Sequence, residues 1–172
     1  MLPTFIALCL VVVMIVGPIM MVQPSRYQKR LARLRTLAAK RGLRVRLGQN
    51  PAPGEPRQLA IYSHAIETNK RLQKIPTWSL ARQTLEHELN FATGWDWLCE
   101  RQAPKVLHEP IQQWLMALPA SIRVVEVTEH SVGVYWTESC WHKEPRWELS
   151  VDKCLNDVDQ FLHRLTQIVD AQ

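Results

Sequence analysis

The 172-residue chain is long enough for one ordinary domain with something added, and too short for a large multidomain enzyme. With 47% of its residues hydrophobic, 22% charged and seven tryptophans, it falls outside the disordered and low-complexity classes. The net charge of +5 is local: residues 24–46 hold nine Lys or Arg and no acid, whereas residues 47–172 hold twelve basic against sixteen acidic residues, a net −4, which argues against a body that binds nucleic acid.

Residues 2–22 form an uncharged run of 21 residues. As a helix rising 1.5 Å per residue, such a run matches the ~30 Å hydrocarbon core of a bilayer. A cleaved signal would need a basic stretch before the run and a small-x-small site after it. Only Met1 precedes the run, and Pro18-Ile19-Met20-Met21-Val22-Gln23-Pro24 offers no such site, so residues 1–23 read as an uncleaved transmembrane anchor with a possible kink at Gly17-Pro18. Arg26, Lys29, Arg30, Arg33 and Arg35 follow within fifteen residues. The positive-inside rule then predicts a single-pass protein of a bacterial inner membrane, N-terminus outside and C-terminal body cytoplasmic.

Residues 25–41 read as a helix inside a basic juxtamembrane segment, 24–42. Ser25 is the N-cap, Gln28 completes a capping box, and Gly42 ends it in the left-handed region. At 100° per residue, Tyr27, Leu31, Leu34 and Ala38 form a narrow apolar stripe. Arg26, Lys29, Arg30, Arg33, Lys40 and Arg41 gather on a neighbouring arc, with Arg35 on the opposite side. Two uses remain open for that arc: contact with anionic lipid headgroups or an acidic partner, or a topology signal followed by a solvated helix.

From residue 43 the period alternates. Residues 43–47 and 58–66 read as strands around a Pro-rich loop at 50–56, and 68–77 is ambiguous. The clearest strand is 84–91, where Leu85, His87, Leu89 and Phe91 alternate with polar residues. A turn at Thr93-Gly94 then leads to Trp95, Trp97 and Cys99 on one face, predicting a hairpin. Pro110 opens a helix carrying Ile111, Trp114, Leu115 and Leu118 and closed by Pro119. Strands at 122–128 and 131–138 make a second hairpin. Residues 139–149 form a Trp-rich connection with room for a short strand at 147–149. Ser150 caps a last helix whose stripe is Val151, Leu155, Val158, Leu162, Leu165 and Val169. The order predicts an α+β protein: transmembrane helix, basic amphipathic helix, then a largely antiparallel sheet packed with two helices over 43–172.

Chemistry is mostly excluded. Glu86-His87-Glu88-Leu89-Asn90-Phe91 starts like a zinc-protease motif, but Phe91 stands where the second His belongs and the segment alternates as a strand. Cys140-Trp141-His142 lacks two further ligands at recognisable spacing. There is no Cys-x-x-Cys, no phosphate-cradling Gly-rich loop and no Gly-x-Ser-x-Gly elbow. The sequence therefore assigns no catalytic residues, no metal ligands and no cofactor. Three cysteines outside the apolar run argue against a disulfide framework. Trp95, Trp97, Trp114 and Trp136 sit at strand and helix spacing and read as core. Trp141 and Trp147, beside Lys143 and Arg146 in an irregular segment, read as a partner surface.

The N-terminal apolar run, Pro24-Ser25-Arg26-Tyr27-Gln28-Lys29-Arg30-Leu31, Gly94-Trp95-Asp96-Trp97 and Val132-Gly133-Val134-Tyr135-Trp136-Thr137-Glu138 resemble a group of uncharacterised single-span bacterial inner-membrane proteins. The run plus basic segment is also similar, more generically, to the small accessory subunit of the Sec translocase. That group has no established activity to carry over; the anchor, the polarised charge and the absence of catalytic motifs together point to a membrane-anchored cytoplasmic binding or accessory module of an inner-membrane complex, with a membrane protein as partner. Two alternatives stay open: a membrane-tethered hydrolase or metal-dependent enzyme using His87, Cys140 or His142, and an anionic-lipid surface sensor.

Overall fold

The computed structural model describes residues 3, 6, 10–14, 16, 24–52, 56–66, 76–83, 91–139 and 147–170. It divides into two compact units, Met1–Leu34 and Arg35–Gln172. In the first unit, residues 3, 6, 10–14 and 16 are helical, and the remainder of 1–23 lies outside the described residues. Among the described residues no helix is long and apolar enough to cross a membrane. This overturns the transmembrane-helix part of the expected fold. The single-pass inner-membrane localisation and its orientation fall with it.

The basic helix is present as α1 (Arg26–Lys40). Its capping box closes in both directions: the Ser25 amide donates to Gln28 Oε1 at 2.8 Å and the Gln28 amide to Ser25 Oγ at 3.2 Å. At the other end Gly42 takes φ 83°, the Leu43 amide reaches the Ala38 carbonyl and the Gly42 amide the Ala39 carbonyl, so the last carbonyls are satisfied by a left-handed cap.

The second unit is a six-stranded, wholly antiparallel sheet: β1 (Arg44–Gln49), β2 (Gln58–Ala65), β3 (Trp78–Arg82), β4 (Trp95–Trp97), β5 (Ile122–Val127) and β6 (Ser131–Trp136), in spatial order β1-β2-β6-β5-β3-β4. A 3-10 turn at Lys105–Leu107 leads into α2 (His108–Ala117), and α3 (Trp147–Asp170) ends the unit. Because opposed residues share a face, Tyr62, Val134, Val125 and Leu80 form one row across the sheet. His64, on that same face of β2, bonds Asp159 of α3, so α3 lies over it and buries Val151, Leu155, Val158, Leu162 and Leu165 there. The opposite face carries a second apolar cluster of Leu59, Ile61, Ala81, Val124 and Tyr135, against which Ala52 and Leu98 pack. Gly48 makes room for it: a Cβ there would stand 2.5 Å from Ile61 Cδ1.

The sequence pattern placed several elements differently. β3 was not foreseen; it is only five residues long, and Arg82 occupies a core-face position that reads as polar. β4 pairs with β3 (Leu80↔Trp97, Arg82↔Trp95), not with the 84–91 segment. Residues 84–90 lie outside the described residues, and Phe91 belongs to the turn, its amide and that of Ala92 both donating to the Trp95 carbonyl. Cys99 falls beyond β4 in a bend. No strand forms at 147–149, since α3 starts at Trp147, where Glu148 in the first turn complements the helix dipole. Ser150 therefore lies inside the first turns of α3 and is not its N-cap.

Candidate functional site

The most concentrated polar site is built on Glu138, two residues past β6. Its backbone is left-handed at φ 54°, uncommon for a residue with a Cβ, and the residue is only 5% exposed. Arg35 of α1 donates from Nε to Oε1 at 2.9 Å and from Nη2 to Oε2 at 2.7 Å. Tyr62 of β2 donates to Oε1 at 2.6 Å. Burial, and then the Glu138 charge, push the Tyr62 hydroxyl far above the ordinary tyrosine range, while Glu138 holds Arg35 above its usual value. A carboxylate clasped by a bidentate guanidinium and a phenol binds the C-terminal part of α1 to the sheet. Tyr62 also packs on Trp136, whose indole donates to Ser121 Oγ at 2.9 Å.

Two further polar groups sit on the sheet face under the helices. His64 Nε2 lies 3.1 Å from Asp159 Oδ1, with the His163 ring 6.4 Å from the His64 ring. Arg82 lies over the Trp95 ring at 4.7 Å and donates to the carbonyls of Ile122, Leu118 and Pro119, satisfying the C-terminal end of α2. Burial, and then the neighbouring Arg123 charge, lower the Arg82 pKa. At the β3–β4 end, Trp78, Trp97, Phe91 and His108 meet through edge-on and tilted ring contacts, and His108 Nε2 donates to the Ala103 carbonyl at 2.8 Å. On the other face, Asp96 is 7% exposed and its Oδ1 has no partner among the described residues.

One concavity stands apart. Between α2 and α3 a cavity of about 140 Å³ is lined by Trp114, Ala117 and Leu118 on one side and by Asp157, Gln160, Phe161 and Arg164 on the other. Its lining mixes aromatic and aliphatic side chains with polar ones. Asp157 and Arg164 stand seven residues apart on α3, ~10 Å along the axis, and neither engages in an ion pair or hydrogen bond among the described residues.

The residues singled out from sequence are dispersed. Arg26, Lys29 and Lys40 are exposed on α1; Arg30 and Arg33 are not free; Arg41 pairs with Asp152 of α3 at 3.6 Å. Arg35, the one cation off the basic arc, is the one that the Glu138 site uses. Trp141, Lys143 and Arg146 lie outside the described residues, as do His87, Cys140 and His142. Trp147 is half-buried in the first turn of α3. Trp95 and Trp136 are buried, and Trp97 and Trp114 half-buried. Cys99 is an exposed free thiol. Among the described residues no three His, Cys, Asp or Glu side chains converge as metal ligands. Sequence reasoning missed Glu138 and the α2–α3 cavity; the displaced position of Arg35 was the one available signal for the former. No family model, curated protein or solved structure matches the chain.

Proposed function

We propose that the chain is a protein-binding module, with the α2–α3 cavity as its recognition surface. The membrane-anchored form of this function falls with the span, and the proposal rests on the domain alone. The cavity carries it: its lining combines Trp114 and Phe161 with two charges, Asp157 and Arg164, that have no ion pair among the described residues. Trp and Arg are the residue types in which binding energy concentrates at protein interfaces. A volume of about 140 Å³ suits one apolar side chain of a partner, with an acidic neighbour on the Arg164 side and a basic one on the Asp157 side. By contrast, Arg35, Tyr62, Glu138 and Arg82 are committed to each other or to backbone carbonyls, an arrangement that fits scaffolding better than turnover.

The test is affinity purification of the full chain beside Arg164→Glu and Asp157→Lys variants. Both changes lie at the rim, so each should alter stability by no more than ~0.5 kcal/mol while removing the same co-purifying protein. If thermal melts and the co-purifying set are both unchanged in the two variants, the cavity is not the recognition surface.

A further inference from the structure

The two edges of the sheet are finished differently. At one end β4 is three residues long and folds straight back through the Phe91–Trp95 turn, which leaves little edge to pair with. At the other end β1 runs six residues in unbroken register with β2, from Arg44↔Ser63 to Gln49↔Gln58. It has no proline and no bulge, and no described strand lies on its outer side. Its side chains alternate between the two faces. Arg44 and Arg46 are exposed on the face shared with Ile61 and Ser63, and Val45 and Leu47 stand on the other face, with Leu47 62% exposed.

From this edge we infer that β1 receives an acidic, extended segment of another protein as a seventh, antiparallel strand, a docking site separate from the α2–α3 cavity. The argument is one of charge and spacing. A strand beside β1 gains backbone hydrogen bonds whatever its sequence, so selectivity falls to the side chains opposite. Arg44 and Arg46, ~7 Å apart along one face, favour acids at alternate positions and disfavour a basic strand. On the other face, an apolar residue of the incoming strand covers Leu47. The occupant is therefore a segment alternating acidic and apolar residues. A second copy's β1 fits less well, because it brings another pair of arginines to the same edge. Arg46 also bears electrostatically on the Tyr135 hydroxyl, which donates to Glu126, so Arg44 is the less committed of the two.

The experiment uses the full chain and labelled acetylated Val-Glu-Val-Glu-Val-Glu amide, read by fluorescence anisotropy. Binding should weaken with salt and be at least about tenfold tighter than for the Lys counterpart. Arg44→Glu with Arg46→Glu should invert that preference, and Leu47→Glu alone should weaken the Glu peptide about tenfold. A Glu peptide N-methylated at alternate residues should bind at least about tenfold more weakly, because strand addition needs its amides. No binding of the Glu peptide, or equal binding of the N-methylated one, overturns the inference. So does a wild-type dimer in light scattering that the double variant dissociates, since a second copy would then occupy the edge. If the double variant does not fold, the peptide series on the wild-type chain and on Leu47→Glu decides.

Discussion

Glu138 joins two costs that proteins usually keep apart, a buried carboxylate and a left-handed backbone on a residue with a Cβ. Its three hydrogen bonds from Arg35 and Tyr62 offset the first, and nothing local relieves the second. Glu138→Ala removes the bonds and keeps the strain. It should destabilise the domain by on the order of 2–3 kcal/mol, discounted because Arg35 is about a third exposed and can recover water. Glu138→Gly removes the bonds and the strain together, so it should be milder than Ala by ~1 kcal/mol, the reverse of the usual order for these two residues. Urea unfolding of the two variants checks this, and Ala at least as stable as Gly would show that the backbone there carries no strain. Half of this site was legible in the sequence: Arg35 stands off the basic arc, which marks it as a cation with other business. Its partner was not legible, because Glu138 lies 103 residues away and no pattern of residue types announces a positive φ.

Elements whose ends are written in local chemistry were the legible ones. The Ser25–Gln28 box and Gly42 bracket α1 where the structure has its ends, and the β5–β6 hairpin closes through Thr128 and Ser131 near the expected joint. Gly42 has open space around the position of a Cβ, so Gly42→Ala tests backbone conformation without a clash. It should cost ~1 kcal/mol, and Gly42→Asn less, since Asn tolerates the left-handed region; thermal melts of both variants would show it. If Ala proves neutral, the cap contributes nothing. The elements that escaped did so for identifiable reasons. β3 hides because Arg82 is a core residue by its stem and a backbone donor by its head, a role fixed only when Leu118, Pro119 and Ile122 arrive from elsewhere in the chain. The start of α3 was displaced because Trp147-Glu148-Leu149 alternates over too few residues to separate a strand from a first helical turn.

At the scale of the whole domain, the two sheet faces are each tied by a tyrosine–carboxylate bond: Tyr62 to Glu138 and Tyr135 to Glu126. Burial first, and then the adjacent carboxylate, raise both hydroxyls above the ordinary tyrosine value near 10. The folded state therefore holds these two protons more tightly than the unfolded chain. The resulting stability is complete below pH ~10 and is lost as pH rises beyond it toward the folded-state values. Melting temperature should fall steeply between pH 10 and 11, and Tyr62→Phe or Tyr135→Phe should flatten that fall; equal slopes in all three proteins would refute the linkage. The strand order has another consequence, in time and not in energy. The sheet is three hairpins of sequence neighbours, β1–β2, β3–β4 and β5–β6, and the pair at its centre is the one made last. During biosynthesis β2 and β3 each emerge with one flank unpaired. Both wait for residues 122–136 before their inner neighbours exist. Through that interval the growing chain exposes apolar strand edges that the finished molecule hides, so the last hairpin off the ribosome closes a window for wrong association that all earlier synthesis has held open.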